Sequence, residues 1–126
     1  MRTSVHVTSS PPRALIRLAG DIDLLVRDRL CELLLRLRSE GCTDLVVDLD
    51  DVTFIDAHSL GMLDEERRRL EGAGGALRVV AASDACLLVA DLAGYMRLRP
   101  PAGASAPRGR RRVIPRPAVR FPEALA

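Results

Sequence analysis

The sequence predicts an α/β fold in which a sheet is flanked by helices, in the element order β-β-α-β-α-β-α. Short apolar segments rich in β-branched residues alternate with longer segments of helical periodicity after residue 20. Strands joined through helices run parallel, and two strand-like segments at the start without an intervening helix predict a hairpin. A chain of 126 residues suits one such domain and is too short for two separate cores.

The first two predicted strands form the hairpin. Residues 4–8 (SVHVT) alternate between polar and apolar side chains, and residues 9–12 (SSPP) end the alternation. Residues 13–19 (RALIRLA) resume the strand pattern. We expect a loop of several residues between the strands, and we expect Gly20 to end the second one.

The first helix is predicted over residues 24–39, where Asp21 and Asp23 supply N-cap chemistry. Its apolar side chains fall on one stripe at helical spacing. They are Val26, Leu30, Leu33, Leu34 and Leu37. Gly41 suits the left-handed conformation that closes a helix.

The next strand and helix carry more charge. Residues 45–49 (LVVDL) predict a strand buried on both faces, and residues 52–56 (VTFID) follow after Asp50 and Asp51, which a turn would explain. The second helix is predicted over residues 57–71. Its acids precede its bases at i, i+4 spacing: Asp64, Glu65 and Glu66, then Arg67, Arg68 and Arg69. Such a pattern is typical of a solvated face.

The last strand and helix of the domain have clear boundaries. Residues 77–81 (LRVVA) predict the fourth strand. Ser83 or Asp84 then caps a third helix that runs through Leu92, and Gly94 closes it.

Charge divides the chain into two parts. Residues 1–98 carry 12 Arg and 16 Asp or Glu, whereas residues 99–126 carry 7 Arg, one Glu and six of the eight prolines. We therefore predict a folded domain over residues 1–98 and a disordered Pro/Arg-rich tail over residues 99–126. The arginine run at residues 108–112 is short and more typical of a solvated segment, so a nucleic-acid partner is disfavoured.

The sequence lacks the usual motifs of metal, cofactor and catalytic sites. Three cysteines without CxxC spacing favour neither a disulfide framework nor a zinc site, and Cys31 and Cys86 are interpreted as buried small apolar residues. The two imidazoles, His6 and His58, do not stand at metal-ligand spacing. Residues 1–13 lack the apolar stretch that is typical of a signal peptide, and no apolar run approaches the length of a membrane helix. We therefore expect a cytoplasmic protein that is not an enzyme and has no cofactor, metal or membrane association.

The start of the second helix is the candidate functional region. Asp56 suits the N-cap position, and His58 and Ser59 follow in the first turn. This turn is expected to project an imidazole and a hydroxyl outward, beside backbone N–H groups that would stabilise a phosphate. On these residues alone, a capped helix start and a phosphorylation switch remain alternatives.

Several fragments resemble, in their order and spacing, the STAS domain family, the fold of bacterial anti-sigma factor antagonists. The fragments are GDID at residues 20–23, LVVDL at 45–49, VTFID at 52–56, LG at 60–61 and LAGY at 92–95. They are similar to the family's GELD turn, its hydrophobic strand with Asp-Leu, its V-x-F-x-D signature, the Leu-Gly of its second helix and the close of its third. The resemblance spans about residues 5–98.

The resemblance implies an anti-sigma factor antagonist that binds an anti-sigma factor, commonly a serine kinase of the histidine-kinase-like ATPase fold. In the family, that kinase phosphorylates a Ser or Thr in a D-S-[ST]-G-L-G motif, and the added charge abolishes docking. An ungapped alignment places His58 at this acceptor position and Ser59 where the family has glycine. Ser59 could serve as a substitute acceptor, or the protein could be a constitutive binder or a degenerate scaffold. We favour constitutive binding.

The resemblance also implies a partner-binding surface, made by the turn after the second strand and the start of the second helix. Its residues are Asp21, Asp23, Asp56, Ala57, His58, Ser59, Leu60, Gly61 and Met62. An alternative function is an accessory or scaffold subunit, for example of a lipid-trafficking ABC system.

Overall fold

A computed structural model describes residues 3–101 and the backbone of residues 119–120. The elements are β1 (Ser4–Ser10), β2 (Arg13–Ile22), α1 (Leu24–Ser39), β3 (Asp44–Ile55), α2 (Ala57–Gly72), β4 (Ala76–Ala82), α3 (Asp84–Ala93), a 3₁₀ turn (Met96–Leu98) and β5 (Val119–Arg120). The predicted α/β element order is confirmed.

The strands form one mixed sheet in the order β4-β3-β2-β1-β5. β2 pairs parallel with β3, and β3 pairs parallel with β4. β1 pairs antiparallel with β2 as the predicted hairpin, but its loop is only Pro11 and Pro12, because Ser10 already pairs with Arg13. The expectation of a longer loop is therefore wrong.

The hydrophobic core lies between the helices and one face of the sheet. α2 contacts both α1 and α3, and the buried strand residues alternate with partly exposed ones on the opposite face. The predicted stripe of α1 supplies four of its buried leucines: Leu30, Leu33, Leu34 and Leu37. The prediction that residues 45–49 are buried on both faces is wrong, because Val46 and Asp48 remain partly exposed.

β2 and β3 are longer than predicted. β2 continues past Gly20, which has φ +86°, to Ile22. β3 runs unbroken through Asp50 and Asp51. The pairing of β3 with β2 shifts in register at this point and then continues, so the strand is not interrupted. The Asp48 carboxylate accepts a hydrogen bond from the Asp50 amide at 2.9 Å, which is the local bond that makes such a stretch resemble a turn.

One residue stands between each parallel strand and its following helix, and that residue caps the helix. Asp23 accepts a bond from Val26 N, Asp56 from Ser59 N, and Ser83 from Cys86 N. At the other end, Gly41 and Gly94 have φ of +90° and +84°. The predicted caps are thus confirmed at Asp23, Asp56 and Ser83. Asp21 is part of β2 rather than a cap, and Asp84 is the first residue of α3.

The cysteines follow the prediction in part. Cys86 is buried as predicted, and Cys42 is buried as well. Cys31 is exposed, because it lies beside Leu30 on α1 but outside the stripe that faces the sheet. It contributes instead to a groove between α1 and α2.

Little of the predicted tail lies within the described residues. β5 pairs antiparallel with β1 through Val7–Val119 and His6–Arg120. The outer edge of β1 offers backbone groups that such an extended segment can pair with, and the disordered tail stays a prediction. The arginine run at residues 108–112 lies outside the described residues.

The helix α2 is not the solvated charged helix that the sequence predicted. Asp64, Glu66 and Arg67 are between 3% and 7% exposed. Arg67 bonds to Asp64 and Glu71 on its own helix, at 2.9 and 3.0 Å. Glu66 Oε1 accepts a bond from Arg38 of α1 at 2.7 Å. The charges are buried because each finds a partner of opposite sign on α2 or on α1.

Candidate functional site

The candidate site lies at the edge of the sheet where β2, β3 and β4 end. Because these strands are parallel, their carboxyl ends and the first turns of α1, α2 and α3 meet at this edge. The edge brings together the predicted site residues Asp21, Asp23 and Asp56, since Ile22 pairs with Ile55 in the register of β2 and β3. Ligands of parallel α/β sheets bind at this edge.

Asp56 organises the first turn of α2. Its Oδ1 accepts a hydrogen bond from the Ser59 amide at 2.8 Å, and its Oδ2 lies 3.9 Å from an Arg27 guanidinium nitrogen of α1. Partial burial raises the pKa of Asp56, but the Ser59 amide and hydroxyl, Arg27 and His58 outweigh it and lower that pKa below the ordinary value. The carboxylate is therefore held in its charged form, and it links the starts of α1 and α2.

His58 and Ser59, at and next to the family's acceptor position, differ in exposure. His58 is exposed. Ser59 is completely buried, and its Oγ lies near Asp56 but in hydrogen-bonding geometry with no group of the described residues. The expectation that the hydroxyl points outward is wrong, because Ser59 stands four residues before Leu63 on the buried stripe of α2.

Asp21 joins the turn after β2 to the end of β3. Its Oδ1 accepts a hydrogen bond from the Thr53 hydroxyl at 2.6 Å, and its backbone carbonyl accepts one from the Thr3 hydroxyl at 2.9 Å. Thr53 and Asp21 are both exposed. The bond is charge-assisted, which makes it shorter and stronger than one between neutral groups.

A groove of about 440 Å³ continues from this edge between α1 and α2. Its lining includes His58, Gly61 and Met62 from α2, together with Cys31 of α1 and Tyr95. A Cβ atom at Gly61 would lie 2.7 Å from the Tyr95 hydroxyl oxygen, so any larger residue there would displace the Tyr95 side chain from its present position. Of the remaining predicted site residues, Ala57 is exposed and Leu60 is buried.

Sequence reasoning missed the apolar part of the site. Phe54 is 51% exposed, and Leu24 and Leu25 at the start of α1 are 57% and 67% exposed. Phe54 pairs with Asp21 in the register of β3 and β2, so an aromatic ring lies at the surface next to the acidic turn. Apolar side chains that are exposed together and bordered by charges mark interaction surfaces, but the exposure of Phe54 could not be read from the V-x-F-x-D pattern.

We expect Asp56→Asn to lower stability near neutral pH and to remove the part of that stability that is lost in acid. Asparagine also caps helices well, but it lacks the charge. Since the folded pKa of Asp56 is lowered, its charge stabilises the fold above the ordinary carboxyl pKa, and this contribution is lost as the pH falls below about 4. Denaturation from pH 7 to pH 3 should show a difference between wild type and variant that narrows in acid. The exposed Asp28→Asn controls for net charge, and a difference independent of pH would contradict the prediction.

Within the described residues, no three His, Cys, Asp or Glu side chains come together in a group that could hold a metal ion. No helix of that part of the chain is long and apolar enough to cross a membrane.

The chain is similar to known proteins in both sequence pattern and fold. A family model described as "Mlab, STAS domain" matches residues 5–100. An anti-sigma factor antagonist from Mycobacterium paratuberculosis is similar with a TM-score of 0.65 and 22% identity, over 75% of this chain and 80% of that one. No curated protein matches.

A second solved structure is similar over most of its length. The anti-sigma factor antagonist SpoIIAA in its unphosphorylated form has a TM-score of 0.68 and 18% identity, over 89% of this chain and 99% of that one. The phosphorylated form of the Bacillus cell fate determinant SpoIIAA has a TM-score of 0.63 and 17% identity, over 75% of this chain and 86% of that one. At these identities the likeness is one of fold.

Proposed function

This chain belongs to the STAS domain family, and we propose that it acts as an anti-sigma factor antagonist. In this function it regulates transcription by binding an anti-sigma factor and performs no catalysis itself. The observation that carries the proposal is the exposed Phe54 ring beside the acidic turn of Asp21, at the edge where the predicted partner-binding residues meet. An apolar anchor surrounded by charges is typical of a protein-binding surface.

The partner we propose is an anti-sigma factor with a serine kinase of the histidine-kinase-like ATPase fold. Asp21, Asp23 and Asp56 favour basic groups on its docking surface, since complementary charge increases the association rate and excludes wrong partners. We further propose that residues 1–98 are the binding unit. The burial of Leu98, the last residue of the 3₁₀ turn, supports this boundary.

We expect Phe54→Ala to weaken binding of an anti-sigma factor by about tenfold or more, because truncating an interfacial aromatic anchor commonly costs more than 1 kcal/mol. Leu35→Ala is the matched control. Leu35 is 52% exposed, like Phe54, but it lies on α1 about 16 Å along the helix from Leu24. Calorimetric titration of the purified full chain with the anti-sigma factor would measure both. Equal affinities for wild type and Phe54→Ala would exclude this edge as the docking site.

We also propose that binding is not controlled by the usual serine phosphorylation. His58 has no hydroxyl, and the buried Ser59 hydroxyl is poorly placed to meet a kinase. This favours constitutive binding at the family's acceptor position over the use of Ser59 as a substitute acceptor.

We expect His58→Ser to create phosphorylation in the segment 56–63 (DAHSLGML), where the wild type acquires none from its kinase partner. The substitution places an exposed hydroxyl at the start of α2, where backbone N–H groups stabilise a phosphate. Cleavage before aspartate isolates this segment for mass spectrometry, and Ser59→Ala controls for the native serine. Stoichiometric phosphate on wild-type Ser59 would refute the prediction.

A second candidate function is an accessory or scaffold subunit, for example of a lipid-trafficking ABC system. The imidazole at the acceptor position favours it, since such a role needs no phosphorylation. Titration against a purified anti-sigma factor and against the ATPase subunit of an ABC system separates the two functions.

A further inference from the structure

The helix α3 exposes apolar side chains on the face opposite the core. It buries Cys86 and Ala90, whereas Leu88 is 59% and Leu92 is 78% exposed. Residues four positions apart on a helix differ by about 40° in direction, so the two leucines lie side by side on the outer face. Met96 is 57% exposed in the 3₁₀ turn that follows and contacts α3. Apolar side chains that are exposed together mark interaction surfaces.

The charges beside this face have opposite signs at the two ends of the helix. Asp84 is exposed at the start of α3, on the same outer face as the two leucines. Arg97 lies just beyond the end of the helix with its side chain 70% exposed, and its ion pair with Glu71 is long at 3.9 Å. Asp91, the other acid of α3, already accepts a hydrogen bond from Arg99. The face is therefore apolar in the middle, acidic at one end and basic at the other.

We propose that this face binds a second copy of the chain, with the two α3 helices packed antiparallel about a two-fold axis. In that arrangement Leu88 of each copy packs on Leu92 of the other, and Asp84 of each copy meets Arg97 of the other. Each contact occurs twice, because a two-fold interface brings the same surface patch of both copies together. A parallel arrangement would place acid beside acid, which like-charge repulsion disfavours. This inference goes beyond the proposed function and does not depend on it.

The size of this face sets the expected strength of the dimer. α3 has 10 residues, which makes it about 15 Å long. A surface centred on so short a helix buries less than the roughly 800 Å² per partner of a typical stable complex. We therefore expect a reversible dimer with a Kd in the micromolar range, which forms at high protein concentration and dissociates on dilution.

Sedimentation of the purified full chain, without any anti-sigma factor, tests the interface. Between about 1 and 300 µM we expect the wild type to change from monomer to dimer, and Leu92→Gln to shift this change to about tenfold higher concentration or more. Glutamine keeps a helix propensity close to that of leucine, so the melting temperature of the dilute monomer should not fall. Leu35→Gln is the matched control, because Leu35 is 52% exposed but lies on α1. A dimer that Leu92→Gln leaves unchanged would overturn the inference. So would a wild type that stays monomeric, which would leave the face to residues 102–126 of the same chain or to another protein.

Exchanging the charges tests the antiparallel arrangement itself. Asp84→Arg and Arg97→Asp should each weaken dimerisation, because each places like charges together at both ends of the interface. When the two variants are mixed, opposite charges meet again at both ends, so the heterodimer should form about tenfold more tightly than either variant's own dimer. A fluorophore on the exposed Cys31 of one variant lets the heterodimer be followed separately. A mixture that dimerises no more tightly than its two components would overturn the arrangement.

Discussion

Arg67→Ala should lower the free energy of unfolding by about 3 kcal/mol, because it leaves a buried carboxylate without its closest partner. The Arg67 guanidinium bonds to Asp64 through two nitrogens, at 2.9 and 3.0 Å, and to Glu71 at 3.0 Å. Burial alone lowers the pKa of Arg67, but its bonds to Asp64 and Glu71 raise that pKa above the ordinary value. The wild-type arginine is therefore held in its charged form.

Arg68→Ala is the matched control for this prediction. Arg68 bonds to the same Asp64 carboxylate at 3.4 Å, but its side chain is 60% exposed, against 9% for Arg67. An exposed ion pair contributes less than about 1 kcal/mol, so urea denaturation should separate the two variants clearly. The double variant Asp64→Leu with Arg67→Met should recover most of the loss, since apolar groups of similar size often replace a buried pair without cost. Equal losses for Arg67→Ala and Arg68→Ala would contradict the role given to burial.

Gly75→Ala should destabilise the protein by about 2 kcal/mol or more, because overpacking against backbone cannot be relieved by a side-chain rotation. A Cβ atom at Gly75 would lie 2.1 Å from the Thr43 carbonyl oxygen. That oxygen accepts the hydrogen bond from Ala76 N that begins the pairing of β3 with β4. The methyl group would therefore separate the two strands where their pairing starts.

Gly72→Ala, three residues earlier, is its control. A Cβ atom there meets nothing within 4 Å, and the residue ends α2. Alanine favours a helix over glycine, so this variant should be as stable as the wild type or more stable by up to about 1 kcal/mol. Thermal unfolding followed by circular dichroism measures both. A Gly75→Ala variant as stable as Gly72→Ala would show that Thr43 moves aside freely.

Local signals predicted the helices well. Asp23, Ser83 and Gly94 mark helix ends through bonds to residues three or four positions away, so their meaning is contained in the nearby sequence. The continuity of β3 through Asp50 and Asp51 was missed because it depends on pairing with β2, about thirty residues earlier in the chain. Likewise, the burial of Glu66 depends on Arg38 of another helix.

The candidate site was predictable in position and less so in detail. The GDID turn and the cap at Asp56 were read from the sequence, because both are short-range patterns. The burial of Ser59 could have been found from its spacing to Leu63 and Leu70, which places all three on one stripe of α2. The exposure of Phe54 could not have been found in this way, since it depends on how far β3 extends beyond its neighbour β4.

The single-residue junctions Asp23, Asp56 and Ser83 leave the edge that carries the candidate site without a flexible loop between its strands and helices. Ordering a loop residue costs about 1–2 kcal/mol of conformational entropy. Here the residues of the edge are already ordered when the chain folds, so binding a partner does not have to order them. A preordered edge binds with a smaller entropic penalty than a surface built from loops. Because each junction is a single residue, the edge should not tolerate insertions. One residue added between Ile55 and Ala57 would rotate the start of α2 and separate its backbone N–H groups from the capping carboxylate.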